Sequence, residues 1–524
     1  MEYVPAPHVT QQWALTKPSA VGLRGMVVAQ ARSAAEAGVA ILDAGGNAID
    51  AAVGTALALA AMEPWNSGLG GIGFALVHRA GEKRADVVDF GPVAPRGLSP
   101  ASFKLTGRMK NDFFAWPEVE GDANIHGPLS FAIPSSVAGY GHMHAQWGTL
   151  PFREVIAPAI ALAKRGLPQD WFTTLKVGFS AAVLRKYAES ARIYLPDGLP
   201  RNPPYQGSPG FFQLGALHAT LQRLAETGAR DFYEGEIAAG IVADVKAMGG
   251  VLSAEDLRDC RARVRAATDH AWHGRTVQMA GGLTAAPTMA RVLDQMQHAT
   301  LGPKPDAAWF TALARAMKTA YAERLEGLGD ADPLAAETCT SHLTVCDQAG
   351  TMVAMTTTLL SSMGSRVVLP GSGVLMNNGI MWFDPSPGQP NSIGGGKRPL
   401  TNMSPIIVRE GDRPVMAAGA SGGRRILAAV TQVMSFIADF GMTPDQAAHQ
   451  PRIDVSDADN VSADRRLPAD VLAALAADGP MEAMEHGVMP INFACPNVIT
   501  RAADGAVIGV SDAASPWSSA VAQK

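Results

Sequence analysis

The first part of the chain spaces its apolar residues as a helix does. Residues 32–62 carry small apolar side chains at helical spacing, and the break at Gly45-Gly46 predicts two helices. Ser33 followed by Glu36 is typical of a capping box at the start of the first helix. The second helix is rich in alanine on nearly every face, which predicts that it is buried between layers.

Strand-like and helical patterns then alternate along the rest of the chain. Residues 74–90 predict two strands joined by a turn, and the stretch from about 150 to 330 is mostly helical. A second hairpin is predicted over 342–360, and residues 405–420 predict two more strands before a helix over about 426–440. Hairpins indicate antiparallel pairing, so we predict an α+β fold, a sandwich of two antiparallel sheets with helices outside.

The composition excludes several classes of function. The 524 residues include 43 Lys+Arg and 48 Asp+Glu, a formal net charge of −5 without a basic run, so neither nucleic acid nor a membrane is an expected partner. The longest weakly polar run, 51–62, is shorter than the ~20 residues of a membrane span. No basic region followed by an apolar core opens the chain, which favours a cytoplasmic protein. Four scattered cysteines predict neither a disulfide framework nor a zinc site, and we expect no metal and no cofactor.

Two glycine-rich segments match nucleotide-binding loops only in their letters. Residues 68–73 fit GxGxxG, but a predicted helix precedes them and a strand follows, the reverse of the order that a dinucleotide site needs. Gly396-Lys397 lacks the first glycine of a P-loop, because Asn391 stands in its place. We therefore predict no nucleotide site in either segment.

A small hydroxyl residue, Thr340, lies where a helical region ends and the second hairpin begins. If the chain were cut before Thr340, this residue would carry both a hydroxyl nucleophile and a free α-amine. An α-amine titrates near pH ~8, well below a lysine, so it can act as a base near neutrality. Threonine with its own terminal amine is a known nucleophile–base pair. From the local letters alone, such a Thr/Ser cluster is more typical of a turn or a cap.

A series of ordered motifs along most of the chain resembles the γ-glutamyltranspeptidase family of N-terminal-nucleophile hydrolases. Residues 36–74 resemble the opening signature of that family, and Thr340-Ser341-His342 falls on its TTH motif, whose first threonine is the nucleophile. The other matching segments are 253–257 (SxEDL), 356–358 (TxT), 397–405 (KRPLSSMSP) and 419–423 (the GxxGG oxyanion turn).

The resemblance implies an αββα sandwich that is made as an inactive precursor and cuts itself between Cys339 and Thr340. Residues 1–339, including the helical region of about 150–330, would become a large chain, and residues 340–524 a small chain. Both chains would build one unit and would therefore be inseparable partners. A dimer of processed units is an open option, and a small-molecule amide is the implied substrate.

The resemblance also implies the catalytic residues. Thr340 would be the nucleophile and, through its freed amine, the base, while the hydroxyl of Thr358 would position it. The backbone N–H groups of Gly422 and Gly423 would face the developing oxyanion, where a side chain would prevent close approach. Cys339 would be incidental to the cleavage. His342 would be a structural hydrogen-bonding residue, because two residues this close on a strand cannot form a catalytic triad.

The sequence departs from the family where its members bind the α-amino and α-carboxylate groups of glutamate. A buried polar or charged group left without a partner costs roughly 2–5 kcal/mol, so these changes predict weak γ-glutamyl binding unless other residues rebuild the contacts. The pocket should also be drier and shorter, which favours a small acyl group. The departures are Gly91-Pro92 in place of Arg-Glu, Leu360 in place of Asn, Gly379 and Trp382 in the NNQxxD pattern, and Thr401-Asn402 in place of paired serines.

The segments EPWNSGLGGIGF and NNGIMWF resemble the branch of the family that includes oxamate amidohydrolase, an enzyme of purine (allantoin) nitrogen breakdown. Oxamate is a small anion, so a cation must bind its carboxylate. Arg424 is the candidate, with Arg398 and Lys397 as alternatives, and a surface or interchain salt bridge is the other interpretation of Arg424. Trp65 is either a pocket wall or a core residue. The remaining predicted substrate contacts are Trp382, Thr401, Asn402 and Asn378.

Three other functions remain open at this point. The protein could be a γ-glutamyltransferase or glutathione hydrolase, or a glutaryl-type acylase of cephalosporins. It could also be an unprocessed member of the family that serves as a binding or scaffold protein. The intact Thr340, Thr358 and paired glycines argue against the last of these.

Overall fold

The structure is a computed structural model that describes residues 15–109, 116–328, 338–456, 460–487 and 492–524. The side chains of residues 325–328 and 338–339 lie outside this description, so nothing is said of the Cys339 thiol. Residues 1–14, from which a cytoplasmic protein was predicted, also lie outside the described residues.

The strands are short, and most of them belong to two sheets. In the first half of the chain they are β1 (Ala20–Gly22), β2 (Met26–Ala29), β3 (Ile72–His78), β4 (Asp86–Phe90), β5 (Leu105–Met109), β6 (Pro117–Val119), β7 (Leu167–Pro168), β8 (Phe211–Phe212), β9 (Arg263–Ala266), β10 (Thr268–Trp272) and β11 (Arg275–Met279). Later strands are β12 (Thr338–Cys346), β13 (Met352–Ser361), β14 (Ile406–Glu410), β15 (Arg413–Ser421), β16 (Ile453–Asp454), β17 (Val461–Asp464), β18 (Met481–Met484), β19 (Cys495–Arg501), β20 (Val507–Ser511) and β21 (Ser519–Ala522).

The helices fall mainly before β12, as the sequence predicts. They are α1 (Arg32–Asp43), α2 (Ala48–Met62), α3 (Ser136–Trp147), α4 (Phe152–Arg165), α5 (Trp171–Leu184), α6 (Ala188–Tyr194), α7 (Leu217–Thr227), α8 (Asp231–Glu234), α9 (Glu236–Ala247), α10 (Ala254–Arg258), α11 (Ala286–Met296) and α12 (Ala307–Leu328). Three more come after β15: α13 (Ile426–Ala438), α14 (Pro444–His449) and α15 (Ala469–Asp478). Within the described ranges, no helix is both long and apolar enough to cross a bilayer.

Two antiparallel sheets of seven strands each form the centre of the molecule. Sheet I has the order β21-β2-β12-β13-β3-β4-β9, and sheet II has the order β1-β20-β19-β15-β14-β11-β10. In both sheets, strands from before residue 329 lie beside strands from after residue 337. For example, Val28 of β2 lies opposite Thr344 of β12, and Met279 of β11 lies opposite Ile406 of β14. Each sheet is therefore built jointly by the two parts of the chain.

Alternate residues of the central strands pack in opposite directions, which produces four layers. Leu343 and Val345 of β12 pack with α1 and α2 on the outer face of sheet I. Ile406 of β14 packs with α11, α12 and α13 on the outer face of sheet II. Ile407, the next residue, instead packs between the sheets with Ala354 of β13. The predicted αββα sandwich is confirmed.

The two predicted helices of 32–62 are present, but the predicted cap of the first is wrong. Ala31 is the N-cap of α1 and provides no side-chain cap, and Ser33 lies inside the helix. Glu36 instead forms an ion pair with Arg32 at 2.8 Å. The helix begins one residue before the predicted cap, so the Ser-Glu spacing falls on its first turn, where it cannot form the box.

A capping box does exist, at the start of α2. The side chain of Asn47 accepts hydrogen bonds from the N–H groups of Ile49 and Asp50, and the Asp50 carboxylate accepts one from the N–H of Asn47. Every residue of α2 is buried, as its alanine-rich sequence predicts. This helix ends at Met62, next to the glycine-rich loop that leads into β3.

The imidazole of His342 fills the space between the sheets opposite Gly419. A Cβ at Gly419 would lie 2.2 Å from Cε1 of that ring, so only glycine leaves room for it. Nδ1 of His342 lies 2.9 Å from the hydroxyl of Thr356, and the amide of Asn497 donates to the backbone carbonyl of His342 at 2.6 Å. Complete burial lowers the pKa of His342 to about 3. The ring is therefore neutral at any working pH.

A methyl group at Gly419 should destabilise the protein. We expect Gly419→Ala to lower the free energy of unfolding by about 1–3 kcal/mol, because the added Cβ overlaps the confined His342 ring. Urea unfolding midpoints measure this change. The control is Gly178→Ala in α5, where no atom lies within 4 Å of the added Cβ, and where alanine should add about 0.5–1 kcal/mol. An unchanged midpoint for Gly419→Ala would contradict the close contact.

The buried histidine should also make stability depend on pH. The unfolded chain binds a proton at His342 below its ordinary pKa of about 6.5, whereas the folded protein does not until about pH 3. Stability is therefore full above about pH 6.5 and falls as the pH decreases from there toward 3. Histidine-labelled NMR should show one imidazole that does not titrate between pH 4 and 8 and that is missing in His342→Gln. A normal titration of that signal would contradict the burial.

Candidate active site

A bulge in the β12–β13 hairpin brings two threonine hydroxyls together. Cys339 pairs with Leu360 and Ser341 pairs with Thr357, so two residues of β13 lie opposite Thr340 alone. Such a bulge re-aims the side chain beside it. The Thr340 hydroxyl donates to Oγ1 of Thr358 at 3.1 Å, and both side chains are buried between the sheets. The structure thus places the predicted nucleophile beside its predicted partner.

The backbone after Thr358 is strained in a way that fixes the Thr358 hydroxyl. Leu360 has φ of 86°, a conformation that leucine rarely adopts and that costs of order 1–3 kcal/mol. Its N–H donates to Oγ1 of Thr358 at 2.8 Å. The hydroxyl of Thr358 therefore accepts two hydrogen bonds, one from the backbone and one from Thr340. Strain of this kind persists only where the surrounding structure imposes it.

The paired glycines form a sharp turn between β15 and α13. Gly422 has φ of 138° and Gly423 has φ of 57°, and a Cβ at Gly422 would lie 2.6 Å from the Cα of Ala494. Their turn contacts β12, the strand of Thr340. Among the hydrogen bonds of the described residues, none uses the N–H of Gly422 or Gly423. Two unused amides next to a nucleophile strand can stabilise a negatively charged oxygen.

Two more buried donors belong to Arg424, in this turn, and to Asn402. Nη1 of Arg424 and Nδ2 of Asn402 have no hydrogen-bond partner, although each residue is less than a tenth exposed. Arg324 donates to the carbonyl oxygen of the Asn402 side chain at 3.3 Å, which leaves the amide nitrogen turned away from it. The phenol of Tyr321 donates to the backbone carbonyl of Arg424 at 2.6 Å. Burial raises the pKa of Tyr321, and the charges of Arg424 and Arg324 oppose this, so both arginines lie near one tyrosine.

The two alternative cations are already engaged. Arg398 forms an ion pair with Asp89, and its Nη2 lies 2.9 Å from where a Cβ of Gly91 would be. Glycine at position 91 therefore makes room for the guanidinium. Lys397 donates to the backbone carbonyl of Ser392 at 3.1 Å. Nε of Arg398 and Nη1 of Arg424 are both buried without a hydrogen-bond partner in the described part of the chain. Arg424 differs from Arg398 in that no carboxylate of the described residues forms an ion pair with it.

An apolar wall lies on the other side of the threonine pair. Trp382 is buried in it, and Nε1 of its indole has no hydrogen-bond partner among the described residues. Ile72, which pairs with Thr358 across β3 and β13, belongs to the same wall. The wall makes the surroundings of Thr358 apolar on this side. Its members are Ile72, Phe74, Trp116, Leu360, Met381, Trp382 and Met403.

Two of the predicted substrate contacts are parts of the scaffold instead. The amide of Asn378 donates to the carbonyl of Ile125 and to the hydroxyl of Ser361, and its oxygen accepts the N–H of Ser361. The hydroxyl of Thr401 donates to the carbonyl of Leu283 at 2.9 Å. Neither side chain has a free hydrogen for a substrate, which corrects the prediction for both.

Trp65 is a core residue and not a wall of the pocket. It is fully buried on the helical side of sheet I, and its ring lies 5.8 Å from Phe172 and 5.2 Å from Trp517, centroid to centroid. The SxEDL segment is also structural, because Ser253 and Asp256 form the capping box of α10. Within the described ranges, no cluster of three His, Cys, Asp or Glu residues could hold a metal ion.

Sequence reasoning missed a buried carboxylate behind Thr340, the predicted nucleophile. Glu63 follows α2 and accepts the hydroxyl hydrogen of Ser341, the neighbour of Thr340, at 2.6 Å. Asn66 donates to its other oxygen at 2.6 Å, and Ser67 donates to the Ser341 hydroxyl at 2.8 Å. Burial raises the pKa of Glu63 to about 7. A signal was present, since an acid between an apolar helix and a glycine loop needs a buried partner.

Together these groups can perform acyl transfer. A hydroxyl held by a second hydroxyl can attack a carbonyl carbon, and unused backbone amides can bind the oxygen that becomes negative. A buried guanidinium and amide can orient an acidic group of the substrate. The apolar wall can keep competing water away from the reacting centre.

Comparisons with known proteins agree with this geometry. The family described as gamma-glutamyltranspeptidase matches the chain over residues 34–339 and 333–522. The chain is 29% identical over 545 residues to the glutathione hydrolase proenzyme of Escherichia coli (strain K12), which covers 93% of this chain and 90% of that protein. It is 30% identical over 522 residues to the acylase ACY 1 proenzyme of Pseudomonas sp. (strain V22), covering 91% and 90%.

The fold itself matches a solved acylase. The cephalosporin acylase of Bacillus halodurans superposes with a TM-score of 0.85 over 100% of both chains, at 24% sequence identity. At that identity the likeness establishes the fold alone. The family match and the relatives go further: the chain belongs to the γ-glutamyltranspeptidase family and is an amide-bond hydrolase.

Proposed function

We propose that this protein is a self-processed threonine amidohydrolase whose substrate is a small amide with a carboxylate on its acyl half, oxamate being the leading candidate. The observation that carries the substrate class is the pair of buried, unpartnered donors, Nη1 of Arg424 in the glycine turn and Nδ2 of Asn402, which is bonded to Arg324. Buried polar groups normally have partners, and leaving a charged one without a partner costs roughly 2–5 kcal/mol. A carboxylate bound there would supply both partners.

Maturation would begin with the Thr340 hydroxyl. Its Oγ1 attacks the carbonyl carbon of Cys339, the peptide C–N bond breaks, the acyl group moves to the hydroxyl oxygen, and the hydroxyl proton passes to the departing nitrogen of Thr340. Water then hydrolyses this ester, which leaves Cys339 as a carboxyl terminus and Thr340 with a free amine. Both relatives described above are named proenzymes, which supports such a step in this chain.

Turnover would use the same oxygen. Oγ1 of Thr340 attacks the amide carbonyl of the substrate while its α-amine takes the proton, and the N–H groups of Gly422 and Gly423 hold the oxyanion. The C–N bond breaks, and ammonia leaves with the proton returned by the amine. Water hydrolyses the acyl ester, which releases the dicarboxylate product, oxalate in the case of oxamate, and restores the threonine.

The site lacks the usual means of binding a glutamyl group. Gly91 offers no side chain, Leu360 is apolar, and the hydroxyl of Thr401 is bonded to Leu283. Trp382 is buried in the same apolar cluster as Ile72 and Leu360, the neighbours of Thr358. Glutathione hydrolysis and glutaryl-type acylase activity are the alternatives that the named relatives suggest. Both would need a binding group for a longer acyl chain, which these residues do not provide.

Replacing the nucleophile should stop both reactions. Thr340→Ala should remain a single chain of 54.7 kDa on a denaturing gel, whereas the wild type gives two bands, because alanine has no oxygen to attack the Cys339 carbonyl. Thr340→Ser keeps the oxygen and should still be cleaved. Mass spectrometry of the small chain should find Thr340 at its terminus. Cleavage of Thr340→Ala at the same bond would exclude this residue as the nucleophile.

The substrate class can be tested with a panel of amides and one charge substitution. We expect ammonia release from oxamate and little turnover of γ-glutamyl or glutaryl anilides. Arg424→Gln should reduce kcat/KM by about 10²-fold, mainly through KM, because a buried charged hydrogen bond to the carboxylate is lost. Arg425→Gln is the matched control, since its guanidinium lies 4.0 Å from Asp454, and its kcat/KM should stay within about twofold.

The variant Arg398→Gln tests a second possible binding position for the substrate carboxylate. If this variant raised KM while Arg424→Gln did not, the carboxylate would bind near Asp89 and not at the glycine turn. Efficient turnover of γ-glutamyl anilides, with no ammonia from any small amide acid, would refute the proposed substrate class and leave the amidohydrolase in place.

A further inference from the structure

The loop that follows α2 is attached to both strands that carry the site hydroxyls. Glu63 and Ser67 bond to the side chain of Ser341 on β12. The backbone carbonyl of Asn66 accepts the N–H of Leu359 on β13 at 2.8 Å. One loop therefore contacts the residue after Thr340 and the residue after Thr358. It does so from the helical side of sheet I, opposite to the side where the two hydroxyls meet.

This attachment matters because of the bulge. Around Thr340 the register of β12 and β13 shifts, so the regular ladder does not fix the strand at this point. The direction of the Thr340 side chain then depends on what holds its neighbours. Ser341 is fully buried, and its hydroxyl bonds to both Glu63 and Ser67. A rotation of Ser341 out of this network would turn Thr340 away from Thr358.

We propose that Glu63 is a positioning residue for the Thr340 nucleophile, acting through Ser341. Its carboxylate holds Ser341 against the loop, and this fixes the strand at the bulge so that the Thr340 hydroxyl meets Thr358. The inference rests on the proposed function only in taking Thr340 as the nucleophile, and it holds for any acyl donor. Both self-cleavage and turnover use that hydroxyl, so both should depend on Glu63.

The network is complete only when Glu63 is ionised. The carboxylate then accepts one hydrogen bond from Ser341 and another from Asn66. A protonated carboxyl would have to donate from one oxygen, and the hydrogen bond at that oxygen would reverse or break. The charged group that faces it is Lys176 on α5, while the groups facing it from β12 and from its own loop are neutral. Lys176 favours the ionised form, and burial opposes it.

The ionised form of Glu63, which orders the site, is therefore also the form that reduces the stability of the folded protein. Because the folded pKa of about 7 lies above the ordinary value of 4.5, the folded state binds more protons than the unfolded chain between these values. The contribution of Glu63 to stability is full below about pH 4.5 and is lost as the pH rises through 7. Activity should change in the opposite direction, falling as the pH decreases through about 7.

The experiment compares Glu63→Gln, Ser341→Ala, Ser341→Thr and the double variant Glu63→Gln/Ser341→Ala. The readouts are the self-cleavage rate of fresh precursor, which needs no substrate, and kcat and KM of the processed enzyme with oxamate or with the best amide of the panel. The control is Asp50→Asn, the other buried acid of this region, which lies at the opposite end of α2 and bonds to Thr149.

We expect Glu63→Gln to slow self-cleavage and lower kcat by about 10- to 100-fold with little change in KM, since misplacing a nucleophile by about 1 Å has effects of this size. In Glu63→Gln, the decrease of kcat below pH 7 should become smaller than in the wild type. The free energy of unfolding of this variant at pH 8 should not be lower than that of the wild type. Ser341→Ala should match this loss, Ser341→Thr should recover most of it, and the double variant should be no slower than the worse single one. Asp50→Asn should keep the wild-type kcat.

Several results would overturn the inference. Wild-type self-cleavage and kcat in Glu63→Gln would do so, and so would losses that multiply in the double variant, because Glu63 would then not act through Ser341. If Glu63→Gln did not fold, a wild-type rate in the folded Ser341→Ala would have the same consequence. These outcomes differ from a failure of the proposed function, in which Thr340→Ala itself would still be cleaved.

Discussion

One hydrogen bond, donated by the hydroxyl of Thr340 to that of Thr358, joins the two strands of the hairpin at the centre of the candidate site. It exists because a bulge places two residues of β13 opposite one residue of β12, and because the strained Leu360 turns its N–H onto Thr358. The bulge occurs in the middle of sheet I, where helices cover one face and sheet II covers the other. A local irregularity is tolerated there because the packing on both faces holds the strands in place.

The polar groups of the candidate site form two sets. Nη1 of Arg424, Nδ2 of Asn402 and the N–H groups of Gly422 and Gly423 have no hydrogen-bond partner within the described residues. On the outer face of sheet I, Glu63, Asn66 and the serines are bonded to one another. The first set is suited to a ligand and the second to support. Both sets lie close to β12: the glycine turn contacts this strand, and the Glu63 network bonds to its Ser341.

Much of the fold could be predicted from periodicity, and less of the site. The break near Gly45, the hairpin of Thr340 and the sandwich all follow from local patterns of apolar residues. The cap at Ser33 was wrong because the helix begins earlier, which spacing alone does not reveal. Asn378 was assigned to the substrate, yet its partners are Ile125 and Ser361, and such distant pairs leave no mark in a single sequence. The position of Glu63 between an apolar helix and a glycine loop did indicate a buried partner, but that partner, Ser341, lies 278 positions away and could not be named from one sequence.

The shared sheets have a consequence for how the protein can be made. Both sheets contain strands from before residue 329 and strands from after residue 337, so neither part can complete a sheet by itself. Folding of the uncut chain is a unimolecular event. If the proposed cut before Thr340 takes place, re-forming the same sandwich from denatured pieces would require two molecules to meet and to combine their strands in both sheets. The lifetime of a cleaved enzyme would then be set by its rate of unfolding, and only the uncut precursor would fold efficiently.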